Sequence, residues 1–502
     1  MSHNHFGDDE EEMTEEELWE QVSNATGAPR ANAMITLSQR MFGESRYSEA
    51  ASLQERLAEV FVEDDKPDDA LIALARATGA WMEAEEWDNI EEVAVRAAEL
   101  EDKAFNAESW RDYYSSYAWA AHQRRAAVVA LEYIDRAITY ADEMDSDHNR
   151  ATLLWQKGCI IATFGRAREA MAIMDRALEF ARSSAAIPLI VDILAEMALL
   201  EIQLLNPDRA VSLATEAQTL LADTFGWPPL RHRVTYSLGS AYLAAGRSSE
   251  AVEQFESIVG VLPNYLKVRT MIRLSECMTD KADSWESRAY TLARNTNAWD
   301  LLNHLEINRA MKTDAMFAVP VLDTVVARAV EYDDDVTRDA ARLVLARKYM
   351  ELGDFSGAMD ILSRISAANF GDDMIKVITY LVLRVDALIE TGDLVEARAI
   401  ATTLTRLDPR PEFVSGIAEG FWQLSLIENQ TNGQSLEWER LAHACIAHLA
   451  RVGDYELLAK RADLLRVNIA ESGQKFRSSI ETVDDLLADI HSESTGFGEA
   501  AA

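Results

Sequence analysis

The chain has 502 residues, of which 48% are hydrophobic, with only 10 prolines and 21 glycines. That is too few turn-formers for a loop-rich or many-stranded fold. Its formal net charge of −37 repels nucleic acid and anionic lipid, so both are excluded as direct partners.

The first seventeen residues carry Asp8, Asp9, Glu10, Glu11, Glu12, Glu15, Glu16 and Glu17. A run of like charge with little apolar content repels itself, so an acidic disordered tail is predicted over residues 1–29. It has neither the basic start nor the apolar core of a signal peptide. His3 and His5 lie in it, and no functional metal site is assigned to them. The acidity extends further: residues 1–110 hold 28 acidic and 8 basic side chains, whereas residues 227–312 hold 11 basic and 9 acidic.

From residue 30 onward one position recurs. Ala50, Ala130, Ala170 and Ala210 are spaced by multiples of 40, Ile90 fills the missing slot, and Ala251 comes one residue late. A fixed period in this range marks a stacked helical repeat, which offers a binding surface rather than a catalytic pocket. Glycine, Asn-Pro and Gly-Asp signals break each helical stretch in two, at Gly165-Arg166, Asn206-Pro207, Gly246-Arg247, Gly353-Asp354, Gly392-Asp393 and Gly453-Asp454. Glycine enters the left-handed backbone that ends a helix without steric cost. The most apolar stretch, 185–205, carries Asp192, Glu196 and Glu201. Three carboxylates there indicate an amphipathic helix and not a membrane span.

Residues 235–263 are the clearest repeat. A first helix runs to Leu243, Gly246 breaks it, a second runs from about Ser248 to Val259, and Pro263 stops it. Gly239 inside the first helix costs about 1 kcal/mol against alanine, so a neighbouring helix is expected to need the space. Leu238, Gly239, Tyr242, Ala251, Phe255 and Pro263 fall at the spacing of the tetratricopeptide repeat, which this chain resembles over about residues 30–475. Thr235 and Ile258 replace the family's usual tryptophan and alanine. The resemblance is good at 231–263 and 338–409 and weak at 265–330 and 410–440. The longer period matches the family's long-helix variants. It implies an all-α fold, a right-handed α-α superhelix of roughly 11 helix pairs over residues 30–480. Residues 481–502 follow as a helix end and flexible tail. One long domain is expected, softened near Pro228-Pro229 and near 410–435.

In that family the first helix of each pair lines the groove that holds a partner. Carried over, the groove residues are Trp155, Cys159, Tyr236, Ser240, Leu243, Leu343, Arg347, Val382, Asp386 and Ile389. Trp155 and Tyr236 occupy equivalent positions two repeats apart, either as groove anchors or as packing between helices. The set suits an extended peptide or partner helix. It lacks the lysine and asparagine pattern that clamps a C-terminal carboxylate.

Chemistry is otherwise sparse. No GxGxxG, GxxxxGK[ST], GxSxG or HExxH occurs, so no cofactor, metal or catalytic residue is assigned. His443 and His448 are five apart, off a shared helix face. Cys159, Cys277 and Cys445 are read as buried, inert thiols on first helices. The aggregate is a cytoplasmic scaffold or adaptor that binds protein or peptide, with a basic partner suited to the acidic surface. A peptide-controlled regulatory sensor is the alternative, and an enzyme is not expected.

Overall fold

In the computed structural model, residues 13–471 are described apart from 85, 125, 143–145, 223–227, 409, 433–436 and 453–454. They form twenty-four α-helices and two short 3-10 turns, with no strand among the described residues. The protein divides into two compact units, residues 1–289 and 290–502.

The first unit opens with α1 (Glu15–Asn24), α2 (Ala28–Gly43), α3 (Tyr47–Glu63), α4 (Pro67–Glu83) and α5 (Trp87–Ala98). It continues through α6 (Ala107–Gln123), α7 (Ala127–Asp142), α8 (Asp147–Thr163), α9 (Ala167–Ser183) and α10 (Ile187–Gln203). Then come α11 (Pro207–Ala222), α12 (Pro228–Ala244), α13 (Ser248–Ile258), α14 (Asn264–Cys277) and α15 (Ala282–Asn295), within which the division between units falls. The second unit holds α16 (Trp299–Lys312), α17 (Ala315–Glu331), α18 (Asp335–Glu351), α19 (Phe355–Ser363) and α20 (Met374–Thr391). It ends with α21 (Leu394–Leu404), α22 (Val414–Asn432), α23 (Glu437–Val452) and α24 (Tyr455–Glu471).

From α2 to α23 the helices form eleven sequential pairs, an even-numbered first helix and an odd-numbered second. The recurring small residue is the fourth position of the second helix. Ala50, Ile90, Ala130, Ala170, Ala210 and Ala251 occupy it, and so do Ala318, Ala358 and Ala397 in the second unit. All nine are buried, none more than 5% exposed. A side chain no larger than a methyl lets the two helices of a pair approach closely; the larger exception, Ile90, lies on α5, the shorter of the two second helices before residue 100.

The fourth position of α23 is instead the exposed Arg440, and the α14–α15 pair departs from the pattern with Trp285 at that place. It is also the pair that lacks the close backbone approach of its neighbours. An indole cannot sit where the others place a methyl, and the weak repeat signal over 265–330 has this physical cause.

The room that Gly239 provides is filled by Phe255. A Cβ on Gly239 would lie 2.8 Å from Phe255 Cε1, and Phe255 is fully buried. Gly158 opposite Met174 repeats the arrangement at 2.7 Å. The turn glycines Gly165, Gly246, Gly353 and Gly392 all take positive φ. At Asn206-Pro207 the left-handed residue is instead Leu205, with φ 61. Gly453-Asp454 lies outside the described residues.

The predicted tail over 1–29 needs correction. Residues 1–12 lie outside the described residues, but Glu15–Asn24 is helical and Leu18 and Val22 are buried. Thr14 and Glu17 form a reciprocal capping box. Glu15, Glu16 and Glu17 lie in the first turn, where the helix dipole favours negative charge. Glu15 also pairs with Arg46 at 3.1 Å. Two apolar residues at i and i+4 suffice to dock this short helix, despite its acidic run. Pro228-Pro229, expected to soften the array, begins α12, where proline's missing N–H costs nothing. The predicted tail over 481–502 lies outside the described residues.

Candidate functional site

On two first helices a stripe of part-exposed or exposed residues runs at spacings of three and four. On α10 it is Asp192, Glu196 and Leu199; on α20 it is Ile375, Thr379, Val382, Asp386 and Glu390. These stripes mark the face that a first helix leaves uncovered by its own partner helix.

In the first unit the first helices α6, α8, α10, α12 and α14 bear groups that meet. Trp119 on α6 packs against Trp155 on α8 with ring centroids 5.1 Å apart. The Arg233 guanidinium on α12 reaches to 6.0 Å from the Trp155 ring and pairs with Asp192 on α10 at 2.6 Å. Side chains of α8 and α12 therefore converge above the helix between them, so all three helices contribute to one face. Arg269 on α14 lies 5.0 Å from the Tyr236 ring. Ser237 Oγ donates to the Ala195 carbonyl at 2.7 Å, tying α12 to α10 beneath this layer.

The electrostatics are strained by burial. Desolvation pushes the Asp192 carboxyl up to about 6 against the pull of Arg233, with the Glu196 charge adding to the rise. Burial likewise raises Glu196, opposed by Arg269 and Arg233. Burial drives the Cys159 thiol well above its ordinary value, so it is inert at neutral pH. Burial alone would raise the Tyr236 hydroxyl, but Arg269 and Arg273 together bring it below the usual value. Three donors in this layer, Trp155 Nε1, Arg233 Nε and the Ser240 hydroxyl, are buried without a hydrogen-bond partner. A buried donor left unpaired costs about 1–3 kcal/mol, a cost that an acceptor from outside would relieve.

The ten residues expected to line a groove thus fall into four groups. Trp155 and Cys159 on α8, with Tyr236, Ser240 and Leu243 on α12, belong to the layer just described. Trp155 (9% exposed) and Tyr236 (5%) are nevertheless largely covered, Tyr236 by Phe255 at 5.9 Å. Val382 and Asp386 on α20 are joined by Gln423 of α22, whose Nε2 donates to the Val382 carbonyl at 2.9 Å and to Asp386 Oδ1 at 2.8 Å. Leu343 and Ile389 are packed in the interior, Leu343 with Leu362 and Phe370, and Ile389 with Ala397. Arg347 is exposed on α18.

Sequence reasoning missed Asp192, Glu196, Arg233 and Arg269. The signal was present: Asp192 and Glu196 lie one turn apart in the most apolar stretch of the chain. The cysteines also need adjustment. Cys445 is on α23, a second helix, and Cys277 is only half-buried; all three are free thiols. Burial raises Cys277 to about 11. Among the described residues no cluster of three or more metal-ligating side chains occurs, and no helix is long and apolar enough to cross a membrane.

No protein-family model and no curated protein matches the chain. Solved structures do. A Rap protein complexed with competence and sporulation factor has 10% identity and a TM-score of 0.52, covering 70% of this chain and 100% of that one. The fold is tetratricopeptide-repeat-like. NprR in complex with its cognate peptide NprX has 12% identity and a TM-score of 0.46, covering 71% of this chain and 99% of that one. The APC/C hetero-tetramer Cut9–Hcn1 has 14% identity and a TM-score of 0.46, covering 88% and 90%. At such identities the likeness concerns the fold alone.

Proposed function

We propose that this protein is a binding scaffold or adaptor whose first-helix face in the unit of residues 1–289 holds an extended peptide or protein segment. The observation that carries the reading is the convergence of Trp155, Asp192 and Arg233 from three first helices, with unpartnered donors at Trp155 Nε1 and Arg233 Nε. An extended backbone presents a carbonyl acceptor and an amide donor at each residue, the mixed pattern that a layer of donors and carboxylates can satisfy. The structural neighbour bound to competence and sporulation factor is in keeping with partner binding. A regulatory sensor, in which the bound segment alters the helix array, uses the same face.

The net charge of −37 favours a basic partner, and a cytoplasmic location fits the free cysteines. The repeat array is taken to run continuously over residues 30–480. The test is affinity purification of the full chain followed by mass spectrometry, repeated with the paired substitution Asp192→Asn and Arg233→Gln. This variant removes both charges together and so leaves neither stranded. A partner retained by the wild type and lost by the variant, at unchanged melting temperature, supports the reading; equal recovery refutes the site.

A further inference from the structure

The second unit carries a polar spot of different character on its own first-helix face. Asp386 of α20 accepts from Gln423 Nε2 at 2.8 Å. Gln423 is fully buried, and the same Nε2 donates to the Val382 carbonyl at 2.9 Å. That second bond fixes the amide's orientation, because a flipped amide would set oxygen against oxygen. Gln423 Oε1 is left buried with no donor. The cation nearby is engaged elsewhere: Arg461 of α24 pairs through Nη2 with Glu419 at 2.8 Å and lies 4.8 Å from the Trp422 ring, its buried Nε being left without an acceptor. Glu419 and Glu390 add further negative charge around Asp386. The spot therefore offers a carboxylate and a neighbouring amide oxygen, and among the described residues no cation forms an ion pair with Asp386.

We propose that Asp386 and Gln423 Oε1 form a receptor for an arginine side chain of a bound basic segment. A guanidinium carries five donors in one plane and can serve a carboxylate and an adjacent amide oxygen together, which a lysine ammonium does less well. Val382 and Asp386 are part-exposed residues on the open stripe of α20, which gives the ligand its approach. The state of Asp386 agrees. Burial pushes its carboxyl up to about 6, and Glu419 and Glu390 add to this against the pull of Gln423 and Arg461. A guanidinium beside it favours the ionised form, so binding releases a proton and weakens as pH falls through about 6. The site lies outside the face assigned above, although it shares the premise that the chain binds a protein segment.

The experiment titrates the full chain, by calorimetry at pH 7.5, with the capped pentapeptide Ala-Ala-Arg-Ala-Ala and with its citrulline counterpart, a neutral isostere. The arginine peptide is expected to bind at least about tenfold more tightly than the citrulline one, the scale of one charged hydrogen bond. Asp386→Asn and Gln423→Met should each weaken it by a similar factor. Asp360→Asn, which removes an exposed charge on α19, should leave it unchanged. Equal binding of the two peptides, or full affinity in the isosteric Asp386→Asn protein, overturns the proposal. Loss in the Asp192→Asn/Arg233→Gln protein with no effect of Asp386→Asn moves the site to the first unit; it overturns this inference while leaving the proposed function standing.

Discussion

The same substitution should have opposite signs at two helical glycines. At Gly79 in α4 an added methyl would meet nothing within 4 Å, whereas at Gly239 in α12 it would stand 2.8 Å from Phe255 Cε1 and 3.0 Å from Cδ1 and Cζ. Alanine in a helix interior gains about 1 kcal/mol over glycine. Gly79→Ala should realise that gain. Gly239→Ala gains the same term but drives a methyl into a ring that has no exposed side to retreat toward. Overpacking of this kind costs about 1–3 kcal/mol, so a net loss of about 1 kcal/mol is expected, and the two variants should differ by about 2 kcal/mol. Urea unfolding followed by circular dichroism measures the sum. Because long repeat arrays can unfold in stages, hydrogen exchange over residues 228–258 and 67–98 should locate each change. Adding Phe255→Leu to Gly239→Ala should recover part of the loss in a double-mutant cycle. Two stabilised variants, or no coupling to residue 255, would refute the packing argument.

Other outcomes follow from the same packing and charge arrangement. Asp339 on α18 is fully buried and accepts from Arg338 (3.0 Å), Arg342 (2.9 Å), Asn369 (2.7 Å) and the Ser366 amide (3.1 Å). Asp339→Ala should cost about 3–5 kcal/mol by thermal or chemical melting, since it leaves buried partners unmatched. Burial acts against it, but these donors hold the Asp339 carboxyl below its ordinary value. Its stabilisation is therefore present above about pH 4 and is lost as pH falls through its lowered folded value, a dependence that Asp339→Asn should remove. Asp192 has the opposite sign. Its carboxyl, raised to about 6, binds a proton more readily folded than unfolded, so stability falls as pH rises from about 4 to about 6, and Asp192→Asn should flatten that slope. Thr14→Ala should cost about 1 kcal/mol of helix stability, read as faster exchange confined to α1.

The repeat was readable because its determinants are local. A small residue at the fourth position of a second helix and a left-handed residue between helices both act within one pair, so they recur in the sequence at the pair's period. Gly239 could be read as a contact, and the structure supplies Phe255 as the reason. What could not be read is what depends on neighbouring pairs. Arg233 acts on Asp192 and Trp155, which lie 41 and 78 positions away, and no local pattern joins them. Trp155 and Tyr236 were found by their register in the repeat, but register does not report how far a ring is covered by the next helix. Leu343 and Ile389 show the same limit, since both have the groove register of the repeat yet are packed in the interior. The acidic start misled for the converse reason: charge composition outweighed the two apolar residues, Leu18 and Val22, that seat α1.

The central claim is that the first-helix face of residues 1–289 holds the partner. It is tested most directly by site-specific photo-crosslinking, with benzoylphenylalanine placed at Trp119 on the part-exposed face of α6 or at exposed Val128 on the second helix α7. With the purified partner and an equal dose of light, the account predicts a covalent adduct from position 119 and none from position 128. An adduct from position 128 alone would place the partner on the second-helix surface and contradict the account.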